Sequence, residues 1–504
     1  MTDLETSRAA WIGDEIPGGN AAPKWPVTGV AIEGDFSGIQ RFVSRPVPGA
    51  SGAARRLRAR SFRVLALTRL VSAEIVGVFR DSAARQFYSA GGRFLLVMQP
   101  CSDWQPRFAS IQQRIDSAFL DDYRGELVFH LAGAEFGDGK IPVAKLAAAM
   151  AQRRCTPLRE VLCSNQRWQS SQFVFPAAAH GKCEGCGATA KLVRDELCQT
   201  CLDDRTLGAH LLTTDASLTK SPTGTIRFLG DNWDLSSNGS VSIPSLSHLP
   251  LERGQLATFE NLAARALGRP YLAYLRIDAD KIGEQFRLLA ADPRRTWGLS
   301  SLLDRAFSQS VSRLIQSKFP NLYPVYGGGD DLFIIGPWND VLDFAQAWHS
   351  EFQIITGGKL TFSAGVALAK PRQHILTKSD EAEHLLNAFA KTGRDSIHAL
   401  GQTMTWAEYT KALDLSKQLA QMHAGKQIKS AILRNILDLR ERCDKGDERW
   451  HSLLFYQVER NLEGNPRDLI KRSFLNPGDL WKSAAFIVRY TILRAGGKEE
   501  ENYA

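Results

Sequence analysis

The 504-residue chain has no run of 18 or more apolar residues, so no membrane-spanning helix is expected. The first 28 residues lack an apolar stretch and carry Asp3, Glu5, Asp14 and Glu15, which does not read as a secretory signal. A cytoplasmic location is the resulting expectation. The chain also lacks a P-loop, a dinucleotide-binding glycine fingerprint, a zinc-protease helix and a nucleophile elbow, so enzyme classes built on those motifs have no support. Cysteine is scarce, with eight in all, and Cys101, Cys155, Cys163 and Cys443 are scattered, which excludes a secreted disulfide framework. Aromatic residues are not interleaved with the basic ones as in a single-strand-binding platform.

What is present is ordinary for a globular protein: 44% hydrophobic and 23% charged residues. The length suits roughly three or four domains. A net charge of +8 fits a polyanionic partner, through counterion release from phosphates, or a modest excess spread over a large surface.

The patterning gives an α+β fold: two ferredoxin-like palm domains, a zinc-binding inter-palm element and a C-terminal helical domain. Residues 1–28, rich in Gly, Ala and Pro, read as a loose arm. Residues 29–165 form the first palm, with a helix from Leu57 to Phe79 and a strand over Phe94–Met98. Residues 166–255 hold the clustered cysteines and a Ser/Thr/Gly/Asn-rich linker of turns and short strands. Residues 256–405 form the second palm: a strand over Tyr271–Ile277, a helix over Ser301–Gln316, and a hairpin of Tyr323–Tyr326 with Leu332–Ile335. A further strand over Leu360–Ala369 and a helix over Glu381–Lys391 complete it. Residues 406–504 read as helical, with breaks near Gly425, Gly446 and Pro466.

An internal repeat supports two palms. Tyr88 to Val97 aligns without gaps on Tyr326 to Ile335. Each is preceded by a strand that ends in a polar turn, Gly34-Asp-Phe-Ser-Gly38 and Asp278-Ala-Asp-Lys-Ile-Gly283. In this alignment Gly92 and Arg93 stand where the second palm has Asp330 and Asp331, so the first palm should hold no catalytic metal.

Adjacent carboxylates at a hairpin tip repel each other and are stabilised by a cation. Gly327, Gly328 and Gly329 lack side chains, so a nucleotide can approach the backbone. Asp278 ends a strand that lies beside the hairpin in a palm. Asp278, Asp330 and Asp331 would then converge on two Mg²⁺ or Mn²⁺ ions, hard cations that take oxygen ligands. Asp280 is a further ligand or a helix N-cap. Lys391, in Ala390-Lys-Thr-Gly-Arg-Asp395, either reaches nucleotide phosphates or caps a helix C-terminus. Cys183-x-x-Cys186 and Cys198-x-x-Cys201, eleven residues apart, fit a closed tetrahedral Zn²⁺ site with a structural role. Arg55, Arg56, Arg58, Arg60 and Arg63 form a basic stretch that binds RNA or nucleotide phosphates, or lies on a solvated helix face.

Together these motifs resemble the large polymerase-cyclase subunit of type III CRISPR effector complexes, over roughly residues 29–490. Gly34-Asp-Phe-Ser-Gly-Ile-Gln-Arg-Phe42 and Gly52-Ala-Ala-Arg-Arg-Leu-Arg-Ala-Arg-Ser-Phe62 are similar to its first palm. Leu275-Arg-Ile-Asp-Ala-Asp-Lys-Ile-Gly283, Gly328-Gly-Asp-Asp-Leu-Phe-Ile-Ile-Gly-Pro-Trp338 and Ser363-Ala-Gly-Val-Ala367 are similar to its second. The resemblance implies conversion of ATP into cyclic oligoadenylates when guide RNA pairs with target RNA inside a multisubunit ribonucleoprotein. It implies catalytic Asp278, Asp330 and Asp331, with nucleotide contacts at Gly327, Gly328, Gly329, Ser363, Lys391 and Ser37. One ATP would sit at each palm. Many members begin with an HD nuclease domain; no His-Asp dipeptide occurs here, so no DNase activity is expected. The alternatives are a stand-alone dinucleotide cyclase of diguanylate type and a non-enzymatic scaffold of an RNA-guided complex.

Overall fold

The computed structural model describes residues 26–45, 52–81, 83–90, 92–163, 181–211, 217–243, 249–289, 292–475 and 480–496. The arm expected over 1–28 lies outside the described residues except at its end, and so does the start of the 166–255 region.

The first half opens with β1 (Gly29–Ser37), a short helix α1 (Ile39–Ser44) and the long α2 (Ala53–Phe79). A hairpin of β2 (Arg85–Ala90) and β3 (Arg93–Met98) follows, then α3 (Trp104–Tyr123), β4 (Val128–Phe136) and α4 (Val143–Cys155). The strands form one antiparallel sheet in the order β2-β3-β1-β4. β1 alternates as a two-sided strand must: Val30, Ile32 and Phe36 join the core under α2 and α3, while Ala31 joins the cluster under α4.

The second half repeats the plan with β5 (Leu272–Ala279), β6 (Tyr323–Gly328), β7 (Asp331–Pro337) and β8 (Phe362–Ala369), in the order β6-β7-β5-β8. Two short strands, Ser396–Ala399 and Gln402–Thr405, extend the sheet beyond β8. The two sheets agree pair by pair. Asp35 faces Arg93 as Asp278 faces Asp331, and Glu33 faces Leu95 as Arg276 faces Phe333. Both hairpins carry a register shift at the same aligned place, between Gln86 and Tyr88 and between Pro324 and Tyr326. A shared irregularity at matched positions is strong support for the repeat read in the sequence, because bulges mark specific places in a sheet.

The strand after β7 is reached through a helix that sequence patterning did not single out, Trp338–Thr356, whose Trp338, Phe344, Trp348 and Phe352 are fully buried. The helix read over Ser301–Gln316 is longer: Pro293–Arg305, a π-helical turn Ala306–Ser310, then Val311–Lys318. Past residue 405 the described residues are helical, as Trp406–Ala424, Ser430–Asp444, Trp450–Asn461, Gly464–Ile470 and Ala484–Ala495, among others. These pack on one face of the second sheet, where Leu275, Ile277, Leu332 and Ile334 share a core with Leu413, Ile436 and Phe486. The opposite face, with Leu272, Tyr274, Phe333 and Ile335, shares a core with the first half. By strand alternation Arg276, Asp278 and Asp331 lie on that second face, toward the first half.

The Ser/Gly-rich stretch does more than link. Ser217–Lys220, Ile226–Phe228, Asp231–Ser236 and Val241–Ser242 make a small sheet whose Leu218, Ile226 and Phe228 join the first half's core.

The arginine run at the start of α2 is not a surface feature. Arg56, Arg58, Arg60 and Arg63 are all at most 5% exposed, which corrects both the RNA-contact and solvated-face readings for them. Arg60 and Arg63 share the fully buried carboxylate of Asp204, at 2.7 and 2.8 Å, and Arg63 also donates to the Thr225 carbonyl at 2.6 Å. Arg60 further donates to the Phe42 carbonyl at 3.0 Å and to the Cys201 thiol at 3.7 Å. A buried carboxylate between two guanidinium groups is the arrangement that makes such charges tolerable away from water. Cys183, Cys186, Cys198 and Cys201 are buried, and their sulfurs all lie within 4.8 Å of one another. That donor set, soft and closed at four positions, fits zinc.

Candidate active site

Asp278 and Asp331 are cross-strand partners at the ends of β5 and β7, on the same sheet face. Like charges directly opposite are destabilising unless a cation offsets them. Asp330 sits at the hairpin tip, with its carbonyl accepting from the Ala279 amide at 2.9 Å. Asp278 and Asp330 line one pocket with Asp280, Lys281, Lys391 and Arg394. Asp278 and Asp330 thus share one pocket, and Asp331 stands behind them as the cross-strand partner of Asp278.

The turn itself depends on two glycines. Gly329 has φ +66°, a conformation that favours glycine. A Cβ on Gly327 would lie 2.5 Å from the Phe307 carbonyl oxygen in the Ala306–Ser310 π turn, so only glycine lets the hairpin pack there. Of the three glycines expected near a nucleotide, Gly329 lines the adjoining cleft, Gly327 is exposed although a Cβ there would abut the Phe307 carbonyl, and Gly328 is buried. Asp304, on the Pro293–Arg305 helix, accepts a hydrogen bond from the Gly329 amide and lies near Arg69 of α2.

Burial pushes the Asp278 carboxyl up to about 7; Lys391 pulls it back, and Asp330 and Asp331 push it further up. Burial likewise pushes Asp331 up to about 6, against the pull of Arg276. Both carboxylates thus ionise reluctantly without more positive charge nearby. The ammonium of Lys391 forms an ion pair with Asp278, so Lys391 serves as countercharge rather than as a simple helix cap. Three hard oxygen donors with this unmet demand fit divalent magnesium or manganese. Among the described residues the aspartate oxygens do not close into a tight cluster like that of the cysteine sulfurs.

Asp280 is corrected from ligand or N-cap to a structural hub. Its carboxylate accepts from Thr361 at 2.9 Å, Ser363 at 2.8 Å and the Asp395 amide at 2.9 Å. The last bond restrains two successive residues of positive φ, Arg394 (φ +56°) and Asp395 (φ +46°). Strain of that kind persists where surrounding structure over-determines it. It holds Arg394 at the pocket, a basic residue that sequence reading did not pick out, as it also missed Lys281. Ser363 is corrected too: it is fully buried and its hydroxyl is spent on Asp280, so it does not face a nucleotide.

The first half's equivalent place is built differently. Asp35 is held by Arg154, with one contact at 3.1 Å, and Glu33 by Arg93 at 2.7 Å. Ser37 shares a hydrogen bond of 2.9 Å with His130. Between the halves lies a cleft of about 400 Å³. Glu33, Tyr88, Arg93 and Ile141 line one wall, and Phe286, Gly329 and Asp330 the other. The size and mixed lining suit a nucleotide-sized ligand.

Comparison with known proteins agrees with this geometry. Residues 271–398 match the Cas10/Cmr2 second palm domain, and residues 30–162 match Csm1 subunit domain B. A curated relative, the CRISPR system single-strand-specific deoxyribonuclease Cas10/Csm1 (subtype III-A) of Thermococcus onnurineus (strain NA1), is 25% identical over 85% of this chain and 64% of its own length. Its counterpart from Streptococcus thermophilus is 23% identical over 74% of this chain and 53% of its own. The chain thus spans less than two thirds of either relative. Among solved structures, a Csm1-Csm4 cassette in complex with cA3 has a TM-score of 0.72 at 18% identity, covering 97% of this chain and 72% of that one. A cassette in complex with one ATP has a TM-score of 0.73 at 18% identity, over the same shares of the two chains. At that identity the likeness speaks to the fold. From the two matched domains, in order and with the carboxylate hairpin in the second, this chain belongs to the Cas10/Csm1 family of type III CRISPR large subunits.

Proposed function

We propose that this chain converts ATP into cyclic oligoadenylates, by nucleotidyl transfer between the two halves, when its RNA-guided complex holds target RNA. The observation that carries this reading is that Asp278 and Asp330 share a pocket, with Asp331 opposite Asp278 in the sheet, and that Asp330 also lines the cleft whose other wall carries Glu33 and Arg93. The reading takes residues 29–165 and 256–405 as two palms. Residues 166–255 are the zinc-bearing connection and residues 406–504 a helical domain. Cys183, Cys186, Cys198 and Cys201 hold a structural zinc ion.

Asp278, Asp330 and Asp331 would hold two magnesium or manganese ions. Bound there, such ions lower the pKa of an attacking hydroxyl and offset charge on departing pyrophosphate. Lys391, Lys281 and Arg394 bind the triphosphate of the donor nucleotide. As phosphate engages Lys391, it competes with Asp278 for the ammonium and frees that carboxylate. The apolar part of the cleft, with Leu95, Ile141, Leu146 and Phe286, takes a base and keeps water out. In the first half both carboxylates already have guanidinium partners, so the acceptor nucleotide is held there without a metal. Its ribose hydroxyl oxygen gives up its proton to solvent and bonds to the donor's α-phosphorus, the bond to pyrophosphate breaks and pyrophosphate leaves, and a later transfer of the same kind closes the ring.

Support also comes from relatives: solved Csm1-Csm4 cassettes include complexes with AMPPNP, pppApA and cA4. The test supplies the assembled complex with each nucleoside triphosphate and Mg²⁺ or Mn²⁺, with and without complementary RNA, and reads products by mass spectrometry. Adenylate rings formed only with target RNA, and lost in Asp330→Ala/Asp331→Ala, are expected. Cyclic diguanylate without RNA would point to a stand-alone cyclase. No product from any nucleotide would point to a scaffold.

A further inference from the structure

The catalytic hairpin is tied to the first half by hydrogen bonds whose directions can be deduced. Arg276, on β5 and 2% exposed, is a donor only. It donates to the Gln40 side-chain oxygen, to the Ser379 hydroxyl at 2.8 Å, and lies over the rings of Tyr326 and Phe333. With its oxygen facing Arg276, the Gln40 amide must turn its nitrogen the other way. That nitrogen meets the Tyr326 hydroxyl oxygen at 2.8 Å. The tyrosine oxygen therefore accepts from Gln40, and its own proton goes to Asp331 Oδ2, 3.0 Å away. Each link forces the next: a guanidinium sets the amide, the amide sets the phenol, and the phenol sets which carboxylate oxygen remains open.

The first half supplies an internal comparison. Tyr88 aligns with Tyr326, yet its hydroxyl donates back to Glu33 on β1, at 2.7 Å. In the second half Arg276 stands in Glu33's place and offers no acceptor. The phenol proton is thereby redirected across the sheet, onto β7 and Asp331. Gln40 belongs to α1, which follows β1 of the first half, and is 286 residues from Tyr326 in sequence.

We propose that Gln40 is a positioning residue for Asp331. Through Tyr326 it occupies Oδ2 and leaves Oδ1 as the oxygen presented to a divalent cation. The seating of the first half on the second then sets the metal affinity of the site, so a partner that shifts α1 relative to β6 switches the site without touching it. This rests on the aspartates' being a metal site, and the experiment separates the two claims.

Mn²⁺ affinity is measured by electron paramagnetic resonance on the full chain with a non-hydrolysable ATP analogue, and thermal melting is followed alongside. Gln40→Glu keeps an oxygen for Arg276 but takes the Tyr326 proton for itself. Its Mn²⁺ dissociation constant is expected to rise about tenfold, the lower end for loss of a partner outside the ligand shell, with melting unchanged. Tyr326→Phe, which needs no change in the first half, is expected to cost a similar factor. Combining the two should cost no more than either alone, because both break one link. Wild-type affinity in Gln40→Glu, or losses that multiply in the double variant, would overturn the positioning role while leaving the metal site standing. Wild-type affinity in Asp331→Asn, or no Mn²⁺ bound by the unaltered chain, would overturn the metal reading and this proposal with it.

Discussion

Metal loading of the aspartate site should release protons in a pH-dependent way that the two shifted carboxyls fix in advance. With Asp278 at about 7 and Asp331 at about 6, their combined proton occupancy in the metal-free chain is about 1.0 at pH 6.5 and about 0.1 at pH 8. Divalent cations need both groups ionised, so apparent affinity should rise about fivefold from pH 6.5 to pH 8 and about a hundredfold from pH 5.5 to pH 8. The same groups act on stability with the opposite sign. Their folded pKa values lie above the unfolded value, so the stability they contribute is complete below about pH 4 and is lost as pH rises through 6 and 7. Added Mn²⁺ should therefore raise the melting temperature more at pH 8 than at pH 5.5. The assay is calorimetric titration of Mn²⁺ in buffers of different ionisation enthalpy, which counts protons released per ion bound. Near-zero release at pH 6.5, or affinity independent of pH over this range, would refute the claim that buried, mutually repelling carboxylates await a cation.

Two further outcomes follow from the buried charge network beside the cysteines. Asp204→Ala leaves Arg60 and Arg63 without their shared carboxylate and should cost about 3–5 kcal/mol in denaturant unfolding; a loss within experimental error would mean that water reaches the pair. Cys201→Ser should abolish bound zinc by elemental analysis and speed hydrogen exchange in α2, because Arg60 links that helix to the Cys201 sulfur.

The sequence disclosed local features and hid distant partnerships. Alternation and the glycine-rich turn placed β6 and β7 almost as observed, since strand period and turn chemistry are set within a few residues. The gap-free match of Tyr88 with Tyr326 carried the register of a whole sheet, down to its bulge. The arginine run on α2 was misread because the carboxylate that explains it, Asp204, comes more than 140 residues later. Asp280 was misread for the same reason: Thr361 just before β8, Ser363 on β8 and the Asp395 amide donate to its two oxygens, and nothing within a turn of it reveals them. Lys391 had two open readings until the fold brought it to Asp278, 113 positions away in the sequence.

The duplicated sheet shows how little separates the half that carries the carboxylate pair from the half that lacks it. Backbone register is the same in both, so the choice rests on side chains at matched positions. Asp331 is replaced by Arg93, and Arg276 by Glu33, so the signs at the two positions are exchanged, and in each half the aligned tyrosine donates to the carboxylate. Asp278 keeps its carboxylate as Asp35, but Arg154 now neutralises it from the end of α4. With a guanidinium in place of the second carboxylate, the repulsion that would draw a divalent ion is gone. Glu33 and Asp35 are each paired with a guanidinium, and the half-exposed Arg93 lines the cleft as a donor. On the proposed reading, a wall without the carboxylate pair faces one that carries it, so two nucleotides would meet across the cleft with only one of them activated, the asymmetry that a chain-forming transfer requires.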